Sequence, residues 1–279
     1  MGIMKLDINP ASDYPTPDLV KYLNQSFEGY LVPIQFNVSQ FLTMLRKDGI
    51  DLTASRVLLA DGVPSGVALI ARRGWISRLA AMGITTVMRG RGAGTWLMDE
   101  LIRELRGRGE HGMVLEVIEQ NGPAVALYKK SGFEITRRLV GFTQRGEDAM
   151  EDGAGPLEEI DLRRAGNLVS QFGLSDLPWQ LSGETIAQLN PPARAYKNAS
   201  AYAVISNPEA EHVVIWSVLV EPDMRGKDLG AEMLRSVIAH HAGRTWHVPA
   251  IFPEEFSKPF ERAGFVKEEL SQWQMELTV

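Results

Sequence analysis

Met98, Leu101, Ile102 and Leu105 recur at i, i+3, i+4 and i+7, the spacing that lays one face of a helix on a core. Upstream, "RVLLADGVPSGVALIARR" reads as two strands around a turn at Asp61-Gly62, and "GWISRLAAMGI" predicts a longer strand running into a glycine-rich loop. Downstream, "MVLEVIE" reads as a strand, a short helix opens near Asn121, and a strand pair runs from Phe133 to Gln144.

The same order returns later in the chain as "AYAVIS", "HVVIWSVLVEP" and "DMRGKDLGAEMLRSVIAHH". Leu234, Val237, Ile238 and His241 stand at the same offsets from Gly230 as Met98, Leu101, Ile102 and Leu105 do from Gly94, so the apolar pattern itself repeats. The endings agree too: "LYKKSGF" closes at Phe133 and "PFERAGF" at Phe265. Between them "RGEDAMEDGAGP" is polar, acidic and glycine-rich, without an apolar period to anchor it. The pattern predicts one α/β unit used twice, over 1–146 and 157–279, with a linker at 147–156.

At 279 residues and 44% hydrophobic content the chain can build two ordinary cores. No run approaches the ~20 apolar residues of a membrane span, and the opening "MGIMKLDINPAS" lacks the basic and apolar regions of a secretion signal, so a cytoplasmic protein without membrane association is expected. The absence of cysteine removes disulfides, thiolate metal ligands and a thiol nucleophile. The histidines at 111, 212, 240, 241 and 247 show no metal-ligand spacing, and no metal is expected. A net charge of -6 supplies no general field for nucleic acid, so an anion must be held by a local cluster.

"VMRGRGAGTWLM" is that cluster. The first N–H groups of a helix lack partners within it and carry the positive end of its dipole. Gly90, Gly92 and Gly94 remove side chains that would hold a phosphate off the backbone, and Arg89 and Arg91 add charge. A Walker loop fails, because the count from Gly90 ends on Thr95-Trp96, and a dinucleotide fingerprint fails at Leu97. Alone, the loop is equally compatible with a tight turn carrying solvated arginines. The second segment, "NGPAVALYKKSGF", sets Asn121 as a helix cap and puts Asn121, Ala124 and Tyr128 on one face.

Together these segments resemble the GNAT superfamily of N-acetyltransferases, whose pyrophosphate loop reads Gln/Arg-x-x-Gly-x-Gly/Ala; Arg89, Gly92 and Gly94 fill those positions. The resemblance implies two tandem GNAT folds, each a mixed, mostly antiparallel sheet flanked by helices. It implies acetyl-CoA as cosubstrate, with its pyrophosphate on Arg89, Gly90, Arg91, Gly92, Ala93, Gly94 and Thr95. It also implies that the pantetheine arm runs beside the backbone of Ile84, Thr85 and Val87, that Asn121 and Ala124 lie on the face meeting CoA, and that Tyr128 protonates the departing thiolate. A tyrosine, with a reference pKa of about 10, keeps its proton at neutral pH; filling a helix–sheet interface is its plainer role. The acceptor is expected to be the primary amine of a small molecule, acetylated directly in a ternary complex, by a monomer or homodimer.

Such an amine must lose its proton before it attacks, since a lysine-like amine titrates at about 10.4. Glu116 is the candidate base, with Glu119 and Glu28 as further carboxylates. The residues of "SFEGYLVPIQF" are candidates for the acceptor wall or for ordinary packing. In the second copy Asp228 stands where the first has Gly92, Phe260 replaces the tyrosine and Pro253 replaces the asparagine, so that copy is expected to bind CoA poorly and to serve as structure or to shape the substrate. The competing reading is a non-catalytic acyl-CoA-binding or regulatory module.

Overall fold

A computed structural model describes residues 4–145 and 155–279. The expected linker lies, up to residue 154, outside the described residues. The chain forms two compact units that do not follow a single cut in sequence: the first comprises residues 1–117, 121–136 and 274–279, the second 118–120 and 137–273.

The first unit carries β1 (Leu6–Pro10), α1 (Thr16–Ser26), α2 (Val38–Asp48), β2 (Arg56–Ala60), β3 (Val63–Arg73), β4 (Ile76–Ile84), α3 (Ala93–Gly107), β5 (Gly112–Ile118, its last residue counted with the second unit) and α4 (Gly122–Lys130). Strands β1 to β4 form an antiparallel meander, and β5 joins β4 in parallel. Parallel neighbours need a crossover, and α3 is that crossover. Its stripe is as the pattern predicts: Leu97, Met98, Leu101, Ile102 and Leu105 are all buried. Leu19, Val20 and Leu23 of α1 pack with Phe41 of α2 on Val57, Val67 and Leu69. Helix α2 starts with a reciprocal capping box between Asn37 and Gln40 and ends at Gly49 in the left-handed region.

Besides residues 118–120, the second unit runs from Arg137 in β6 (Glu134–Arg145) through β7 (Glu158–Ile160), α5 (Leu162–Phe172), α6 (Gly183–Ile186), β8 (Arg194–Asn198), β9 (Ala201–Ile205), β10 (His212–Val220), α7 (Leu229–His240), β11 (Thr245–Pro253) and α8 (Lys258–Arg262) into β12 (Val266–Thr278, its residues from Gln274 on counted with the first unit). Its core gathers Phe142, Leu234, Val237, Ile238, Trp246 and Phe260. The fourth position of the repeated stripe, His241, falls one residue past α7 as its C-cap, where its Nε2 meets the Tyr196 hydroxyl at 2.8 Å.

The repeat extends to an irregularity invisible in the sequence. The β3–β4 ladder shifts register between Leu69 and Ile70, leaving Ala80 as an extra residue, and the β9–β10 ladder shifts between Ile215 and Ser217, leaving Trp216. Both lie 14 residues before the last glycine of their loops, Gly94 and Gly230 (94 − 80 and 230 − 216). A bulge bends its strand and frees backbone groups. Beyond the bulge the parallel partner parts company: β4 pairs with β5 only over Ile76–Arg78, and β10 with β11 only over His212–Val214. Each unit therefore has a cleft between two diverging strands.

Candidate functional site

In the first unit the cleft is edged by β4, closed at one end by the loop before α3 and flanked by α4. Backbone alternation decides which groups of β4 face it. The Thr85 N–H donates to the Ser65 carbonyl at 2.9 Å, so Thr85, Gly83 and Ala81 direct their backbone groups to β3. Met82 and Ile84, between them, direct theirs into the cleft. Thr85 thus offers no N–H there, and Val87 sits in a 3-10 turn with its side chain exposed. Of the three residues expected beside a pantetheine arm, Ile84 has its backbone turned to the cleft, and Met82 shares that orientation, because strand phase is set by pairing. The Thr85 hydroxyl is buried without a hydrogen-bond partner among the described residues.

The loop turns on two left-handed glycines, Gly90 at φ +73° and Gly92 at φ +83°, and a Cβ at either would meet only open space. Gly92 is the N-cap of α3 and supplies no side-chain bond. The first i to i−4 bond there is Trp96 N–H to Gly92 carbonyl at 3.0 Å, so the N–H groups of Ala93, Gly94 and Thr95 precede the ladder and find no acceptor within it. Unsatisfied donors, the positive end of a 15-residue helix and an open approach fit a diphosphate.

Arg89 is placed differently from the expectation of a phosphate-binding cation. Its Nε donates to the Ile84 carbonyl at 2.9 Å, and its Nη2 to the carbonyls of Ser26 and Glu28 at 3.1 and 2.7 Å. It ties the end of α1 to the end of β4. Arg225 repeats this in the second unit, Nε to the Val220 carbonyl at 3.1 Å and Nη2 to the Phe172 carbonyl at the end of α5. Arg91 is exposed at the loop, and its charge remains the one suited to an anion.

The segment after α1 reaches α4 through an aromatic residue, Tyr30. Asn121 caps α4, its Oδ1 accepting from Ala124 N–H at 3.3 Å, while its Nδ2 points to the Tyr30 hydroxyl at 3.5 Å. Tyr30 packs edge-on against Phe27, centroids 5.2 Å apart. The segment from 30 to 36 is pinned to α1 by two bonds between Asn24 and the backbone of Phe36, at 2.9 and 2.8 Å. Of "SFEGYLVPIQF", Phe27 and Phe36 pack against the α1 core and Leu31 is exposed. Tyr128 lies on α4, 8% exposed, against Phe133 at 5.9 Å. Burial first, and the neighbouring Tyr30 phenol second, push its hydroxyl well above the ordinary tyrosine value.

Glu116 is not placed as a base would be. Its Oε2 accepts from Arg78 Nε and Nη2, both at 2.8 Å, with side-chain exposures of 6% for the arginine and 3% for the glutamate. Asp48 stands 4.0 Å from the same guanidinium. Protonating Glu116 would cancel the charge that Arg78 is buried against. Glu116→Gln is expected to lower stability by about 3 kcal/mol, toward the lower end of the cost of breaking a buried pair because Asp48 remains. Urea unfolding measures this, and turnover should fall only with the folded fraction; a larger loss of rate would return Glu116 to the chemistry. Glu119 belongs to the second unit, where the Ser271 hydroxyl at 2.6 Å and Arg138 at 2.7 Å hold its carboxyl below the usual range. Glu28 is exposed beside the Arg89 anchor.

Comparison with known proteins finds the same fold and a family match over part of the chain. Residues 20–133 match the family model described as Acetyltransferase (GNAT) family. No curated protein matches the chain. Solved structures share the fold of the whole chain. A GCN5-related N-acetyltransferase from Sphaerobacter thermophilus is 15% identical with a TM-score of 0.70, covering 99% of this chain and 95% of that one. A tandem GNAT protein from the clavulanic acid biosynthesis pathway is 15% identical with a TM-score of 0.65, covering 99% and 98%. A putative acetyltransferase from Pyrococcus horikoshii is 16% identical with a TM-score of 0.63, covering 99% and 89%. At these identities the likeness is one of fold. No helix among the described residues is long and apolar enough to cross a membrane.

Proposed function

We propose that the first copy, residues 1–146, is an N-acetyltransferase that passes an acetyl group from acetyl-CoA to the primary amine of a small molecule, directly and in one ternary complex. The observation that carries this reading is the pairing of an open amide cradle at Gly90–Thr95 with a buried, proton-retaining phenol at Tyr128 on the helix that Asn121 caps. Acetyl-CoA supplies an activated acyl group whose leaving sulfur needs a proton.

In this reading the N–H groups of Ala93, Gly94 and Thr95 hold the diphosphate, aided by Arg91, while the backbone of Met82 and Ile84 orients the chain behind it. The bulge at Ala80 turns backbone donors toward the carbonyl, where charge develops as the amine attacks. Tyr128 Oη keeps its proton until a thiolate needs it. Arg89 holds the acceptor segment in register with β4, and Tyr30, bridged by Asn121, presents a second phenol near the same point. With Glu116 bound to Arg78, the amine's proton leaves to solvent or to Glu28. The second copy, 157–279, takes no part in the transfer: Asp228, Phe260 and Pro253 replace the groups used in the first.

Steady-state release of CoA thiol, measured with a panel of primary amines, tests this reading. Amine-dependent turnover is expected; tight acetyl-CoA binding without turnover on any amine would favour the non-catalytic acyl-CoA-binding module instead.

A further inference from the structure

The second unit keeps a cleft but changes its chemistry. A cavity of about 530 Å3 lies between β10, the end of α5 and α8, within the usual range for small-molecule sites. Its wall includes Leu174, Leu177, Trp216, Val218, Phe252 and Phe256. Phe256 is 41% exposed, an aromatic ring left in water at the edge of an apolar hollow.

The loop at one end preserves the backbone of the first copy: Gly226 and Asp228 sit at φ +79° and +63°. Asp228 puts a carboxylate at the mouth of α7, fixed by Arg262 at 2.8 Å and Arg235 at 3.7 Å. A diphosphate arriving there would meet a like charge that the protein itself holds in place. Phe260 fills the tyrosine position, stacked on Phe142 at 5.0 Å and edge-on to Phe252 at 4.7 Å, so the wall beside it is hydrocarbon.

The charged residues lining the cavity are three cations, Arg225, Lys258 and Arg262, against one carboxylate, Asp228. Arg225 is bonded to two carbonyls and Arg262 to Asp228. Lys258 is exposed and has no ion-pair partner among the described residues. An apolar hollow with one uncommitted cation at its rim suits a molecule with an aliphatic body and a single anionic end.

We propose that the second unit is a binding site for a medium-chain aliphatic carboxylate, its chain against Leu177, Trp216 and Val218 and its carboxylate on Lys258. This goes beyond the acetyl transfer assigned to the first copy and does not depend on it.

Calorimetric titration of the full chain with octanoate, decanoate and dodecanoate, below their micelle concentrations, tests the proposal. One site per chain is expected, with affinity rising about threefold to fourfold per methylene until the cavity is full. Lys258→Gln should weaken dodecanoate about tenfold, and Phe256→Glu, at a surface position that tolerates charge, should remove binding while thermal unfolding stays unchanged. Gly92→Asp should leave dodecanoate binding intact, separating this site from the first copy. The proposal is overturned if none of the three acids binds, if decylammonium binds as well as decanoate, if both variants bind like the parent, or if acetyl-CoA occupies two sites per chain and displaces the acid from one.

Discussion

Gly92→Asp is expected to lower the affinity for acetyl-CoA about a hundredfold and leave the fold intact. A side chain at φ +83° is ordinarily strained, but aspartate is among the residues that enter the left-handed region, and this chain already holds one there, Asp228 at φ +63° in the same loop of the second copy. The substitution therefore changes charge more than shape. A carboxylate about 4 Å from a phosphate costs about 1 kcal/mol in water and about 4 kcal/mol at the effective dielectric of a protein surface. The exposed loop lies between those limits, and a cost near 3 kcal/mol is about a hundredfold in affinity. Calorimetry of both proteins with acetyl-CoA, beside circular dichroism melts, gives the answer. Unchanged affinity in a folded variant would remove the Gly90–Thr95 loop as the diphosphate cradle.

Tyr128→Phe should lower kcat about a hundredfold, the smaller end of general acid catalysis, because solvent can still deliver a proton more slowly. The KM for acetyl-CoA should change little, since the ring continues to pack on Phe133. The pH profile adds a second test. Burial raises the folded-state value of the phenol, so its protonated form persists above the ordinary tyrosine value of about 10. The rate should climb as the amine loses its proton and hold its plateau past pH ~10 rather than fall there. A decline at the ordinary tyrosine value, absent from the phenylalanine variant, would mean that Tyr128 titrates like an exposed phenol. A variant with parental kcat would end its role as the acid.

The sequence carried the elements that depend on local spacing. The stripe Met98, Leu101, Ile102 and Leu105 specifies the buried face of α3 because a helix repeats every 3.6 residues whatever surrounds it. Asn121 marks the start of α4 because capping is settled within three residues. The glycines at 90 and 92 mark the loop because only a residue without Cβ enters the left-handed region without strain. The internal repeat was legible for the same reason, as a pattern of offsets.

Partners distant in the chain were decided only by the tertiary structure. Arg89 is attractive to an anion on paper, yet its guanidinium reaches carbonyls 61 and 63 residues away, and Glu116 is claimed by an arginine 38 residues before it. The phase of β4, which turns Met82 and Ile84 rather than Thr85 to the cleft, follows from the register with β3 and from the extra residue at Ala80. The assignment of residues 274–279 to the first unit depends on strand pairing across more than half the chain. Local sequence fixes dihedral preferences and apolar faces because those energies act over a few residues. Hydrogen bonds, ion pairs and strand register depend on which groups meet in space, and that is settled only when the chain has closed on itself.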